Sequence, residues 1–458
     1  MLTNLIGIGT ISLIIYVVII LIVNTVFKRK MAECMFWAYL VLLGITIFKL
    51  PEFNESIKDS LSFALKQEVI YAAMAFTFMA YIMNKTGIIE RLVNILNSML
   101  GRLPGGSAYV STIASALFGM ISGSGSGNAA AVGSITIPWM KKTGWSDNMA
   151  TTIVAGNSGL GIAFPPSSSM FLLLGMPAIA KEITSEELYI TLLSAATIVL
   201  IYRLILVRFY VKKYNIQAVE NHNLNVAITL KENWKSLLIF LGVIIPVVIT
   251  SGPVKEYLTA SETFGKDALK SVSLILWIPI LITFIAMLEG RKFLPKTAKG
   301  WWELNKESYS QYAQTGVLLF FAFAASRLLI NLGLEEEVNG IFAILASHSK
   351  FVVILGVAVL STMMVGPFTG TATTTAIGSI AYLALRSINV EPAVACSVLL
   401  LLFSNEGCIP PNSAPIYIAC GISGLENPAS TFKNLVFAYA LPAIIFAMLM
   451  ALGIIPLL

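Results

Sequence analysis

The sequence predicts an all-α polytopic membrane protein, with about ten transmembrane helices and two re-entrant hairpins built as an inverted-topology repeat. Three observations predict it: the composition, the sign of charge in successive loops, and two polar motifs that recur at one spacing.

Of 458 residues, 57% are hydrophobic and 12% charged. A soluble globular chain carries about 25% charged residues, so this chain has too little charge to coat a soluble surface. Ile11–Val26 and Val436–Leu458 contain no charged residue, and about 20 apolar residues span a bilayer as a helix. No signal-peptide pattern opens the sequence, so the first segment is expected to remain as a helix. The formal net charge of +6 is spread over loops rather than gathered in a patch, which argues against a nucleic-acid partner. Cys34, Cys396, Cys408 and Cys420 form no CxxC pair and read as buried thiols. With His222 and His348 in polar stretches, neither a metal centre nor histidine-based catalysis is favoured.

Crossings are expected near 3–26, 34–50, 68–84, 147–181, 187–210, 236–251, 271–289, 314–333, 392–423 and 434–457. Lys28-Arg29-Lys30 after the first crossing puts that loop in the cytoplasm and the N-terminus outside. The alternation then places Lys141-Lys142, Lys212-Lys213 and the basic stretch 290–306 inside, and the acidic stretches 181–187 and 334–339 outside. This holds only if the apolar segments 107–138 and 352–385 go in and come back out on the same side.

Those two segments carry the repeat. SGSGNAAAVGSI, from Ser124, aligns without a gap on TGTATTTAIGSI, from Thr369, at an offset of 245 residues. Pro165-Pro166-Ser167-Ser168 lies at the same offset from Pro410-Pro411-Asn412-Ser413, and Lys141 from Arg386. Because Lys141 is expected inside and Arg386 outside, the two copies have opposite orientations, an architecture of many secondary transporters. The resulting division is 1–66 (scaffold), 67–185 (first repeat), 186–310 (connecting and scaffold helices), 311–430 (second repeat) and 431–458 (last helix).

Each copy has a tip rich in Ser, Thr, Gly and Asn and a Pro-Pro break in an apolar helix. Proline removes a donor and crowds the carbonyl four residues back, so the helix opens. Opened backbone at membrane depth is tolerated where it is buried in protein or lines a cavity. The free carbonyls and hydroxyls are hard oxygen ligands suited to an alkali cation, and half-helix N-termini favour an anionic group. Gly119, Gly123 and Gly127 also fit simple helix packing. Glu406, four residues before Pro410, is an intramembrane acid and hence a candidate for coupling; Arg203 and Arg327 read as snorkelling to an interface. Gly156–Gly159 (GNSG) fits an intramembrane serine protease pattern, but no activating base accompanies it. A channel is a further alternative, less suited to paired hairpins with broken helices.

With those residues in view, SGSGSGNAAAVGSITIPWMKKTGW, GLGIAFPPSSSM, GPFTGTATTTAIGSI and GCIPPNSAPIYIACGISG resemble the large membrane (M) subunit of the tripartite ATP-independent periplasmic (TRAP) transporters, in the ion transporter superfamily. The resemblance spans roughly 65–458. It implies a permease of a bacterial or archaeal inner membrane, driven by Na+ and working as an elevator. One Na+ would be held by the tip Ser122, Ser124, Ser126 and Asn128 with Pro165 and Ser167. A second would be held by Thr369, Thr371 and Thr373 with Pro410, Asn412 and Ser413. A small organic anion, typically a carboxylate, would lie between the tips near Ser126, Asn128, Ser168, Thr371 and Asn412. The implied partners are a small membrane subunit and a soluble extracytoplasmic substrate-binding protein, with no cofactor beyond Na+. Glu406 departs from the neutral residue expected there, and a stand-alone symporter or antiporter of the superfamily is the alternative.

Overall fold

The structure is a computed structural model that describes residues 7–218, 225–250, 252–261, 273–334, 336–337, 349–366, 369–410 and 413–458. Among these residues it is helical throughout, without strands. The first elements are α1 (Ile8–Thr25), α2 (Met31–Lys49) and α3 (Phe53–Leu65), followed within 67–185 by α4 (Glu68–Lys85) and α5 (Ile88–Leu100). The first repeat continues with α6 (Gly106–Ser122), α7 (Gly125–Lys142), α8 (Asp147–Ser158), the single turn α9 (Leu160–Ala163) and α10 (Ser168–Leu174). The long α11 (Ser185–Lys213) follows, then α12 (Val226–Asn233), α13 (Leu241–Thr250), α14 (Gly252–Ala260), α15 (Leu274–Glu289) and α16 (Ala298–Asn331). The second repeat holds α17 (Lys350–Val365), α18 (Gly370–Ser387), α19 (Pro392–Phe403) and α20 (Ala414–Ser423). The last elements are α21 (Ala429–Asn434) and α22 (Leu441–Ala451), joined through a π-helical turn over Leu435–Ala440.

Among the described residues, five helical stretches are long and apolar enough to cross a membrane: Ala32–Lys49, Ser185–Lys213, Val226–Thr250, Ala298–Asn331 and Ala429–Ala451. Large apolar side chains on their outer faces, such as Ile201, Ile205 and Phe209 of α11, are exposed, as a lipid-facing surface requires. Two elements were not legible as crossings. α3 and α5 are amphipathic helices of 13 residues each, too short to span. α5 buries Ile88, Ile89, Val93 and Ile95 while Glu90 and Asn94 face outward. α16 begins well before the expected crossing at 314, its polar first half extending the same helix.

The repeat is visible in the helix bounds. Gly125–Lys142 and Gly370–Ser387 differ by 245 at both ends, and so do Asp147–Ser158 and Pro392–Phe403. Packing is reciprocal as well: α7 lies on α8 of its own repeat and on α20 of the other, while α18 lies on α19 of its own and on α10 of the other. A basic residue at the end of each hairpin grips the far end of the opposite repeat. Lys141 Nζ donates to the Ser423 carbonyl at 2.6 Å, and Arg386 Nε to Glu182 Oε2 at 2.8 Å.

Where the breaks cross, backbone meets backbone. A Cβ on Gly159 would stand 1.8 Å from the Ser404 carbonyl oxygen, and one on Gly407 2.0 Å from that of Ala155. On Gly161 it would stand 2.0 Å from the Gly119 carbonyl carbon. The packing role considered for Gly119 is therefore real, and it coexists with the polar tip a turn later. Gly161→Ala is expected to lower stability by about 1–3 kcal/mol through overpacking. Gly421→Ala, at a helical site with nothing within 4 Å, is expected to be neutral or slightly stabilising. Thermal melting of both variants in nanodiscs checks this; equal melting points would contradict the backbone contact.

Candidate functional site

The site is built from four helix ends. Gly123, at φ +61°, turns the chain between α6 and α7. Ser124 caps α7 by accepting from Gly127 N, and Thr369 caps α18 by accepting from Ala372 N, each at 3.2 Å. Ser167 caps α10 by accepting from Met170 N at 3.2 Å, and its own hydroxyl donates to the Ile162 carbonyl at 2.9 Å. In the second break α19 passes into a 3-10 turn over Ser404–Gly407, so the helix opens before Pro410 is reached. Gly407 and Gly159 let the two breaks approach backbone to backbone at this crossing.

Glu406 lies where the two tips meet. Its Oε2 accepts from Gly370 N at 2.9 Å and its Oε1 from Ser126 Oγ at 3.4 Å. The amides of Gly125 and Ser126 also bond the carboxylate. One carboxylate thus binds the first turns of both α7 and α18. Ser413 Oγ donates to the Glu406 backbone carbonyl, tying the start of α20 to the same turn.

A cavity of about 560 Å³ opens beside this junction. Ser124, Ser168, Thr369, Thr371 and Glu406 line it from the repeats, and Thr77, Tyr81, Gln314 and Thr315 line it from α4 and α16. It therefore lies between the hairpin tips and breaks on one side and α4 and α16 on the other. Among the described residues, Glu406 is the one charged side chain in its lining.

Other sequence-derived candidates stand behind this surface. Asn128 is fully buried; its Nδ2 donates to the carbonyls of Ser115 (2.8 Å) and Ser158 (2.7 Å), and its Oδ1 has no hydrogen-bond partner. Thr373 is buried with Oγ1 unpartnered. Pro165 is buried in the first break and Pro410 half-buried in the second. Ser122 ends α6, and its side chain lies outside the described set. Pro411, Asn412, His222 and His348 lie outside the described residues.

Two buried asparagines join the list. Asn157 donates to Thr112 Oγ1 at 3.0 Å and leaves Oδ1 unpartnered; Asn405 has neither side-chain atom partnered. Both stand beside a break inside an apolar helix, and that was the available signal. In GNSG, Ser158 is buried and its hydroxyl donates to the Ala155 carbonyl at 2.7 Å.

Neither arginine behaves as a free snorkel. Arg203 is 2% exposed, its guanidinium 4.3 Å from the centre of the Tyr439 ring in the π-helical turn. Stacking on an aromatic face offsets part of its desolvation. Arg327 Nε donates to Asp59 Oδ2 at 2.6 Å, and that hydrogen bond holds the Asp59 carboxyl below its usual value.

Residues 11–458 match the family described as "Tripartite ATP-independent periplasmic transporter, DctM component". The chain belongs to that family. The TRAP large component is a transporter component and not an enzyme family, and the chain is a multi-pass membrane protein. The C4-dicarboxylate TRAP transporter large permease protein DctM of Pseudomonas aeruginosa is 31% identical over 148 residues, 32% of this chain and 34% of that protein. The ectoine TRAP transporter large permease protein TeaC of Halomonas elongata is 30% identical over 118 residues, 26% and 28% respectively. An uncharacterized protein of Salmonella typhimurium, YgiK, is 37% identical over 116 residues, 25% and 27%. The matched stretches thus span about a quarter to a third of these curated relatives. Among solved structures, the YdaH transporter of Alcanivorax borkumensis shares the fold, with a TM-score of 0.68 at 12% identity over 93% of this chain and 98% of its own. MtrF of Neisseria gonorrhoeae does so with a TM-score of 0.65 at 11% identity, over 92% and 94%.

In this TRAP component, Asn128→Ala would strand the buried carbonyl of Ser158 at the end of α8, a loss of about 1–3 kcal/mol for the unsatisfied group. The variant is expected to melt well below the parent in nanodiscs, whereas Ser134→Ala, at an exposed position, is expected to melt with it.

Proposed function

We propose that this chain is the large permease subunit of a TRAP-type uptake system. It uses a Na+ gradient to move a small organic solute into the cell, a carboxylic acid being the class the family resemblance implies. It works in a bacterial or archaeal inner membrane with its N-terminus outside. Its partners are a small membrane subunit and a soluble extracytoplasmic binding protein.

The observation that carries the coupling ion is the set of buried oxygens left without hydrogen-bond partners at the tips and breaks of both repeats: Asn128 Oδ1 and Asn157 Oδ1 in the first, Thr373 Oγ1 and Asn405 Oδ1 in the second. A buried polar atom without a partner is costly, and carboxamide and hydroxyl oxygens are hard ligands that suit a hard cation. Backbone carbonyls at the breaks supply further ligands of the same kind. The elevator motion is supported by the position of the cavity. Its lining is divided between the hairpin tips and breaks and the helices α4 and α16, so sliding one body against the other would carry a solute held at the tips.

Na+ is expected to raise the melting temperature of the protein in nanodiscs, while choline at equal ionic strength does not. Asn157→Ala combined with Thr373→Ala is expected to shrink that shift by more than half. No Na+-specific shift in the parent would overturn the coupling ion. Adjacent genes for a small membrane protein and a secreted binding protein are expected; their absence would favour a stand-alone carrier.

A further inference from the structure

A half-helix N-terminus carries roughly +0.5 of an elementary charge, so two of them facing one point offer an anion about one full positive charge. In a transporter of this architecture such ends favour the anionic group of a solute. Here α7 and α18 present those ends to a single point, and a carboxylate of the chain itself stands there.

The fit is close. A Cβ on Gly125 would come within 2.9 Å of the Glu406 carboxyl carbon, and one on Gly370 within 3.3 Å of Oε2. Both glycines therefore make room for this side chain. The groups that bond it, the amides of Gly125, Ser126 and Gly370 and the Ser126 hydroxyl, all donate, the arrangement an ionised carboxylate accepts. Glu406 is 2% exposed, so water does little to screen it from the two helix ends. One negative charge against two half-charges leaves the junction close to neutral. The rest of the described cavity lining is uncharged; its polar part includes Ser124, Ser168, Gln314, Thr315, Thr369 and Thr371.

We propose that Glu406 is a specificity-determining residue that fills the anion seat between the hairpin tips and restricts the solute to one without net negative charge. A zwitterionic acid, whose cationic group balances its carboxylate, or an uncharged polar compound fits this cavity; a mono- or dicarboxylate anion does not. This inference rests on the reading of the cavity as the solute path. It sets the class of solute within that reading.

The test uses charged thiol reagents as the solutes. Ala130 lines the cavity at an exposed position, one turn beyond Ser126 on α7. The parent cysteines are buried and provide the background. In Ala130→Cys, labelling by the anionic sulfonatoethyl methanethiosulfonate is compared with labelling by the cationic trimethylammonium-ethyl reagent, each relative to its rate on a free thiol. The anionic reagent is expected to gain no advantage. Adding Glu406→Gln, which keeps the shape and removes the charge, is expected to raise the anion-to-cation ratio about tenfold, as one unit charge felt across a partly screened cavity would. A parent protein that already favours the anion tenfold overturns the proposal, and so does a ratio that Glu406→Gln leaves unchanged. Should the double variant fail to fold, the two reagents on Ala130→Cys alone still decide. No labelling by either reagent would remove the cavity as the solute path and the inference with it. Retained Na+-specific stabilisation in Ala130→Cys, whose side chain is none of the proposed ion ligands, separates a failure of the solute class from a failure of the ion reading.

Discussion

Backbone that leaves a helix inside a bilayer must find its partners within the protein, because hydrocarbon supplies none. Among the described residues, two tips and two breaks are such places, and the structure brings them to one crossing. Each half-helix presents free amides at one end and free carbonyls at the other. Ser124, Thr369 and Ser167 cap the amide ends from their own chain segments. Glu406 then satisfies two helix starts at once, from different repeats. Gathering the breaks thus resolves the backbone problem and concentrates polar atoms beside one cavity.

Gathering them also demands close approach. The glycines at 119, 159, 161 and 407 are places where a single methyl group would strike backbone, and interiors tolerate little added volume. The polar and the small residues of these stretches are therefore one requirement seen twice. Backbones come near enough to cross because no side chain intervenes, and the polar groups near the crossing have few routes to water. Packing and binding were competing explanations for GxxxGxxxG when the stretch stood alone; in three dimensions Gly119 packs on Gly161 while Gly127 lines the cavity.

Much of this was legible in the sequence, for a physical reason. Identical offsets in two motifs imply identical spacing of helix ends, and the bounds of α7 against α18 and of α8 against α19 keep that spacing. What the sequence concealed were interactions between distant segments. α3 and α5 lack the apolar length of a span, so a hydropathy reading passes over them, and only their buried faces reveal their place. Arg203 looked like a snorkelling residue because Tyr439, its aromatic partner, is 236 positions away in a π-helical turn that no propensity signals. Asn157 and Asn405 were hidden for a simpler reason: a lone asparagine in an apolar helix gains meaning only when the neighbouring break is seen to leave its oxygen unpartnered.

Glu406 shows how far the repeat itself can be trusted. At the offset of 245 its counterpart is Gly161, which packs tightly on Gly119. The two positions therefore do opposite things, one bringing backbones together and the other placing a carboxylate between helix starts. A strict two-fold site would be either empty of charge or doubly charged, and two carboxylates facing the same pair of helix ends would repel each other. A single acid matches the combined positive ends of two helices, about one charge in all. The asymmetry thus fits electrostatic balance at a two-helix junction, and it lets one side chain serve both repeats.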